Sequence, residues 1–307
     1  MPILALYSTI VLIWGSTWIV ITFQLGQVAP GLSVAYRFTL ASLVLFIWLL
    51  LRNGGRLISF TAAQHRIIAL QGVFLFGGNY LFVYLGSERL SSGLVAVLMS
   101  LLPLFTILNQ IVFMRLPVRG SVLTASLTGL IGTALIFYPQ FSEFSGAQNS
   151  GSGDNSVSSI AGILFCVLAA WLASVGNLYA VRNAGAGLPI METTAWAMAY
   201  GAAFMFIISA VSGTEFTFDT SFNYLWSLVY LAVLGSVFAF VFYFMLGAKI
   251  GADKSAYVAV AIPVIALGIS TLFESYQWSV NAVFGIALIL LGNYLILRPA
   301  KPLVELA

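Results

Sequence analysis

Residues 85–137 read LGSERLSSGLVAVLMSLLPLFTILNQIVFMRLPVRGSVLTASLTGLIGTALIF, and residues 246–297 read LGAKIGADKSAYVAVAIPVIALGISTLFESYQWSVNAVFGIALILLGNYLIL. The two stretches share an order. Each opens on Leu-Gly, passes a charged turn and enters an apolar run centred on a proline. Each then breaks at a phenylalanine and closes in a second apolar run with a glycine. Pro103 and Pro263, Phe113 and Phe273, and Gly132 and Gly292 are all 160 residues apart. Upstream the match is looser: 159 residues separate Pro30 from Pro189, and 157 separate Trp14 from Trp171. Small loop insertions would account for the drift.

The apolar runs are long because water is not the main solvent of this chain. Of its 307 residues 61% are hydrophobic and 7% are charged, where a soluble domain carries about 25% charged residues. A helix crosses the hydrocarbon in roughly 20 residues. Ten runs meet that length: 3–23, 30–51, 67–87, 91–114, 120–138, 159–182, 189–211, 222–247, 254–273 and 279–298. The breaks carry turn chemistry, as in Arg52-Asn53-Gly54-Gly55 and Ser91-Ser92-Gly93. Met1 to Phe23 lacks a basic leading region and is too long for a cleavable signal, so it reads as the first span. The expected fold is all-α and integral to the membrane. It comprises a first five-helix repeat (1–138), an extracytoplasmic Ser/Gly/Asn-rich linker (139–158), a second five-helix repeat (159–298) and a cytoplasmic tail (299–307). Because five is odd, the second repeat enters from the opposite side of the bilayer. Inverted repeats of this kind frame a central cavity near the midplane.

The basic residues set the orientation. With the N-terminus inside, Arg52, Arg56, Arg66, Arg115, Arg119, Arg182, Lys249, Lys254, Arg298 and Lys301 lie on the cytoplasmic side. Arg89 alone lies outside, and Arg37 lies within a span. That asymmetry puts both termini in the cytoplasm. It also accounts for a net charge of +3 without a nucleic-acid partner. The single Cys166 and single His65 make neither a disulfide framework nor a metal site. Walker loops, zinc-binding His-Glu patterns and nucleophile elbows are missing. Gly151-Ser152-Gly153-Asp154 has the Gly-x-Gly-Asp form of intramembrane aspartyl proteases but lies in the linker with no partner Asp in a span. These readings exclude an enzyme and imply no cofactor.

Depth along each span, at about 1.5 Å per residue, places Trp14, Ser16, Asn79, Met99, Pro103, Trp171, Ser174, Tyr200, Ser236 and Pro263 near the midplane. Asn79 follows Gly77-Gly78, with Tyr80 beside it and Tyr84 a turn later. An amide there either ties two helices together or offers a handle to a solute. Pro103 and Pro263 each remove a helical hydrogen bond, so each either curves its span or hinges it. Trp14 and Trp171 lie too deep for the interfacial belt, and either pack the core or line a cavity. Arg37 lies roughly 10 Å from the outer end of its span. It either meets a substrate carboxylate, snorkels outward or locks backbone carbonyls. Glu88, Glu192 and Glu274 fall near span ends and read as interfacial. Spans five and ten, nearly pure aliphatic, read as scaffold.

The whole chain resembles the drug/metabolite transporter superfamily, in its EamA branch. The resembling residues are Leu12-Ile13-Trp14-Gly15-Ser16-Thr17-Trp18, Ala35-Tyr36-Arg37-Phe38, the run from Gly93 to Pro103-Leu104-Phe105, and the Pro…Phe-Glu…Gly run from Pro263 to Gly292. The sequence departs from the pattern where Met114 stands opposite Glu274. The resemblance implies a ten-span, two-repeat carrier of small metabolites in a bacterial inner membrane. Within the branch the chain is similar to the YddG-type exporters of aromatic and other neutral amino acids. The expectation is therefore an exporter working by alternating access, a monomer with a small-molecule substrate and the lipid bilayer as its partners. Spans one, three, four, six, eight and nine would line its cavity. Trp14, Ser16, Asn79, Tyr80, Tyr84, Met99, Trp171 and Ser174 are its candidate lining, with Pro103 and Pro263 as bends. A drug or nucleotide-sugar carrier of the same superfamily is the alternative cargo class. A channel would need a continuous polar ring, whereas these spans hold isolated polar groups.

Overall fold

The computed structural model describes residues 2–55, 57–114, 120–136, 138, 154–250 and 258–297. Among them every regular element is a helix, as hydrocarbon demands of a backbone that has no water to bond. In chain order these are α1 (Ile3–Thr22), α2 (Pro30–Arg52), α3 (Ala62–Ser87), α4 (Ser92–Met99), α5 (Leu102–Met114), α6 (Gly120–Ile136), α7 (Asp154–Gly185), α8 (Ile190–Val211), α9 (222–250), α10 (Val258–Phe273) and α11 (Val280–Leu297). Six of them, α1, α2, α3, α7, α8 and α9, are long and apolar enough to cross a membrane. The expected linker 139–158 and tail 299–307 lie almost wholly outside the described residues.

Local chemistry sets the ends. Pro30 starts α2, where its missing N–H is no loss. A capping box starts α3: Thr61 Oγ1 accepts from the Gln64 amide at 3.3 Å, and Gln64 Oε1 accepts from the Thr61 amide at 2.8 Å. It carries the helix five residues upstream of the apolar run expected at 67. Ser221 caps α9 more simply, its Oγ accepting from the Tyr224 amide at 3.4 Å.

Two helices are not α-helical throughout. In α3 the turns over Gly72–Gly78 widen to π-type, and in α9 those over Tyr230–Phe238 do the same. The amide of Asn79 bonds Phe74 O and that of Ala239 bonds Leu234 O, five residues back in each case. The fourth span is broken rather than bent. It was expected as one helix over 91–114, but Ser100 and Leu101 form a turn between α4 and α5. Pro103 is the second residue of α5, so the interruption precedes it. Pro263 does sit inside a helix, buried in α10.

The helices pair as α6 with α11, α2 with α8, α7 with α3 and α5, and α1 with α9 and α10. Glycines allow the closest approaches. A Cβ on Gly132 would stand 2.5 Å from the Gly285 carbonyl, and one on Gly285 equally 2.5 Å from that of Gly132. Gly132 and Gly285 thus face each other at this crossing. Gly86 leaves room in the same way for the buried sulfur of Cys166. The core runs from α2 and α3 into α4, α7 and α8, with Phe38, Ile68, Phe76, Leu98, Ala170 and Met198 buried in it.

The α6–α11 crossing gives a direct test. Gly132→Ala and Gly285→Ala are each expected to cost about 1–3 kcal/mol through overpacking and to lower the thermal midpoint of the purified protein. Gly268→Ala, whose Cβ meets nothing within 4 Å, is expected to leave it unchanged or raise it, because alanine is the better helix former.

Candidate functional site

The site grows from the widened turns of α9. A π-type segment carries an extra residue per turn and leaves carbonyls without their usual partners. Side chains take them here. Trp14 Nε1–H of α1 donates to Gly235 O at 3.2 Å, and Ser236 Oγ–H donates to Leu231 O at 2.9 Å. Ser16 Oγ lies 2.7 Å from the Tyr230 hydroxyl and also bonds the carbonyls of Leu12 and Ile13. The absence of a side chain at Gly235 lets Thr17 close against it. So α1 is fastened to α9 by two polar contacts at Trp14 and Ser16, two residues apart. The Trp14 ring rests edge-on against Phe240, with centroids 5.5 Å apart, and against Tyr243.

Arg37 of α2 enters this assembly from the other side. It is 1% exposed, so it does not snorkel. Its Nε and Nη2 both reach Ser236 Oγ at 3.4 Å. The guanidinium lies over Tyr80, 4.5 Å from the ring centroid, and over Phe38 at 5.1 Å. Phe38, Phe76, Phe240 and Trp14 then continue as a chain of ring contacts. Among the described residues no carboxylate pairs with Arg37, and the ion pair present is the outlying Arg89–Glu88. Nη1 has no partner. Burying an ion costs several kcal/mol even after relaxation, and a cation–π contact returns about 2. The site therefore carries an uncompensated positive charge.

Tyr84, fully buried on α3, donates to Gln24 Oε1 at 2.5 Å. Ser33 and Tyr224 extend this polar line, their hydroxyls 3.0 Å apart. The structure thus brings together Trp14, Ser16, Arg37, Tyr80 and Tyr84 of the expected residues, with Gln24, Tyr230, Gly235 and Ser236. It places the others elsewhere. Asn79 is buried and donates to Leu75 O in its own helix at 3.1 Å, leaving Oδ1 unpartnered. Met99 packs on the core at the end of α4. Ser174 bonds Asn109, tying α7 to α5, and donates to Trp171 O at 2.7 Å. Trp171 is 38% exposed and shares a face of α7 with Leu164. Its ring does not meet Trp14, so equal depth did not bring the two tryptophans together.

Three polar ties were not singled out by sequence. Glu274 follows the end of α10 and accepts from the Ser92 amide at 2.9 Å, from Ser92 Oγ at 2.7 Å and from Ser270 Oγ at 2.6 Å. It caps α4 from just beyond the end of α10, past the interfacial role expected of it. Ser275 aids this by turning the chain in the left-handed region, at φ 55°. Farther along α3, Asn183 Nδ2 donates to Gln71 Oε1 at 2.8 Å, both side chains buried. Near the start of α3, His65 Nδ1 lies 2.9 Å from the Tyr200 hydroxyl, with Phe60 and Trp196 edge-on around its ring.

A family model described as the EamA-like transporter family matches residues 1–138 and 160–298. The chain belongs to the EamA-like transporter family. As an EamA protein it is a multi-pass membrane protein of a transporter family, not an enzyme. Its relatives include the uncharacterized inner membrane transporter YedA of Escherichia coli K12, 26% identical over 99% of this chain and 95% of that one. The uncharacterized transporter YoaV of Bacillus subtilis is 23% identical over 94% of each chain. The fold matches a solved crystal structure at a TM-score of 0.63, with 18% identity over 95% of this EamA chain and 94% of the other.

The Glu274 tie has a measurable weight. Hydrogen bonds to a charged group contribute about 1.5–3 kcal/mol each. Glu274→Ala is expected to lower the thermal midpoint and to raise amide hydrogen exchange across 92–99. Unchanged protection there would show that the contact does not hold α4 in place.

Proposed function

We propose that this protein is an inner-membrane carrier that exports aromatic and other neutral amino acids, or related small metabolites, by alternating access. The observation that carries this reading is the assembly around Ser236. It joins α1, α2, α3 and α9 deep in the apolar part of the chain. It offers flat aromatic surface, hydroxyls and one unpaired cation, the complement of a small zwitterion with an apolar side chain.

The ten-span, inverted-repeat architecture with both termini cytoplasmic belongs to the same proposal. Taking α4 and α5 as one rod, rod one packs on rods eight and nine, as rod six packs on rods three and four. Rod two packs on seven, and five on ten. Exchanging the two halves maps this set of pairings onto itself. The widened turns lie in rods three and eight, which the same exchange relates. In this reading the Glu274 tie closes the outer end, and the Gln71–Asn183 and His65–Tyr200 contacts close the inner one.

The test is uptake of radiolabelled amino acids by proteoliposomes. Saturable uptake of phenylalanine, methionine or threonine is expected. No flux at millimolar substrate, with intact protein, would rule out the amino-acid reading, and a drug or nucleotide-sugar panel would then take its place. Trp14→Ala removes one hydrogen bond and two ring contacts. It is expected to slow transport about tenfold, as a loss of about 1.4 kcal/mol would. Asn79→Ala and Trp171→Ala separate lining from packing, since only lining residues shift the concentration for half-maximal uptake.

A further inference from the structure

Two buried N–H donors near Tyr84 are left over. Arg37 Nη1 has no partner, and neither does Gln24 Nε2. Both side chains are 1% exposed. Tyr84 lies close to both: its hydroxyl donates to Gln24 Oε1 at 2.5 Å, and the Arg37 charge is near enough to act on it. The Tyr84 proton goes to Gln24 Oε1, an amide oxygen that only accepts. Gln24 therefore presents its oxygen to Tyr84 and leaves its NH2 free. Ser236 cannot serve further as a donor, because its proton goes to Leu231 O. What remains is a set of buried N–H donors around a positive charge, with no acid among the described residues to meet it.

We propose that Arg37 and Gln24 form an anion site that takes the carboxylate of the carried solute, held by Arg37 Nη1 and Gln24 Nε2. A carboxylate is all acceptor, and its two oxygens suit two donors, one on α2 and one in the turn after α1, better than a single hydroxyl does. The ring of Tyr80 covers the guanidinium on one face, which leaves its edge for the ligand. The identity of the ligand as a carboxylate rests on the carrier reading above; the existence of an anion site does not.

The experiment is ligand binding to the purified protein in nanodiscs, read as thermal shift and as a titrated Kd. The probes are phenylalanine, 3-phenylpropionate, phenethylamine and sodium chloride. Phenylalanine and 3-phenylpropionate are expected to stabilise the wild type, and phenethylamine, which lacks the carboxylate, is not. Gln24→Leu is expected to weaken both acids about tenfold, the effect of losing one hydrogen bond to a charged group. Arg37→Gln is expected to abolish their binding. If Arg37→Gln does not fold, Gln24→Leu decides alone. Equal binding of phenethylamine, or acid binding unchanged in Gln24→Leu, overturns the proposal. Chloride alone giving the full effect, lost in Arg37→Gln, would overturn the carboxylate assignment in favour of a halide site. Binding of 3-phenylpropionate without phenylalanine would sustain the anion site while removing the amino-acid reading.

Discussion

A backbone amide in hydrocarbon has no water to fall back on, and the architecture of this protein follows from that. Among the described residues helices satisfy most of that requirement, and where the turns of α3 and α9 widen side chains help to complete it. Trp14 takes the carbonyl of Gly235, Ser236 that of Leu231, and Asn79 that of Leu75. The same few bonds that repair the backbone also bring an indole, a hydroxyl and an amide to fixed positions inside the protein. The site is thus a by-product of local helix geometry, and it stays in place because undoing it would strand a peptide group.

Between the widened turns the helices are held by closeness and at their ends by polarity. Lipid chains are as apolar as leucine, so burial alone gives little reason for two helices to associate. Contact at Gly132 with Gly285 and at Gly72 with Gly201 supplies it through backbone approach. The ties at Glu274, Gln71 and His65 differ in kind. One uses a carboxylate with three donors, one a neutral amide pair, and one an imidazole with a phenol. Their strengths are unequal, so the ends of the molecule are not equally firm.

Much of the scaffold is written in the hydropathy of the chain. The span expected at 30–51 is Pro30–Arg52, and that at 189–211 is Ile190–Val211. What hydropathy misses is polar helix: the first turns of α3 and the start of α7 at Asp154 extend past the apolar runs. Arg37 stood out in sequence as a charge in an apolar run, but that no carboxylate among the described residues meets it is visible only once the surrounding helices are in place. Glu274 and Ser92 are 182 residues apart, and no local pattern joins them. Depth was legible and facing was not, so Trp14 and Trp171 matched in the first and differed in the second.

The unpaired guanidinium also acts where it touches nothing. At 10 Å and an effective dielectric constant near 20, a second positive charge is repelled by about 1.7 kcal/mol, a penalty of more than tenfold on its passage. No nearby acid cancels that field among the described residues. In the proposed carrier, a proton, an alkali ion or a solute with an extra ammonium group would meet that barrier beside Arg37, and a molecule with no net charge would not.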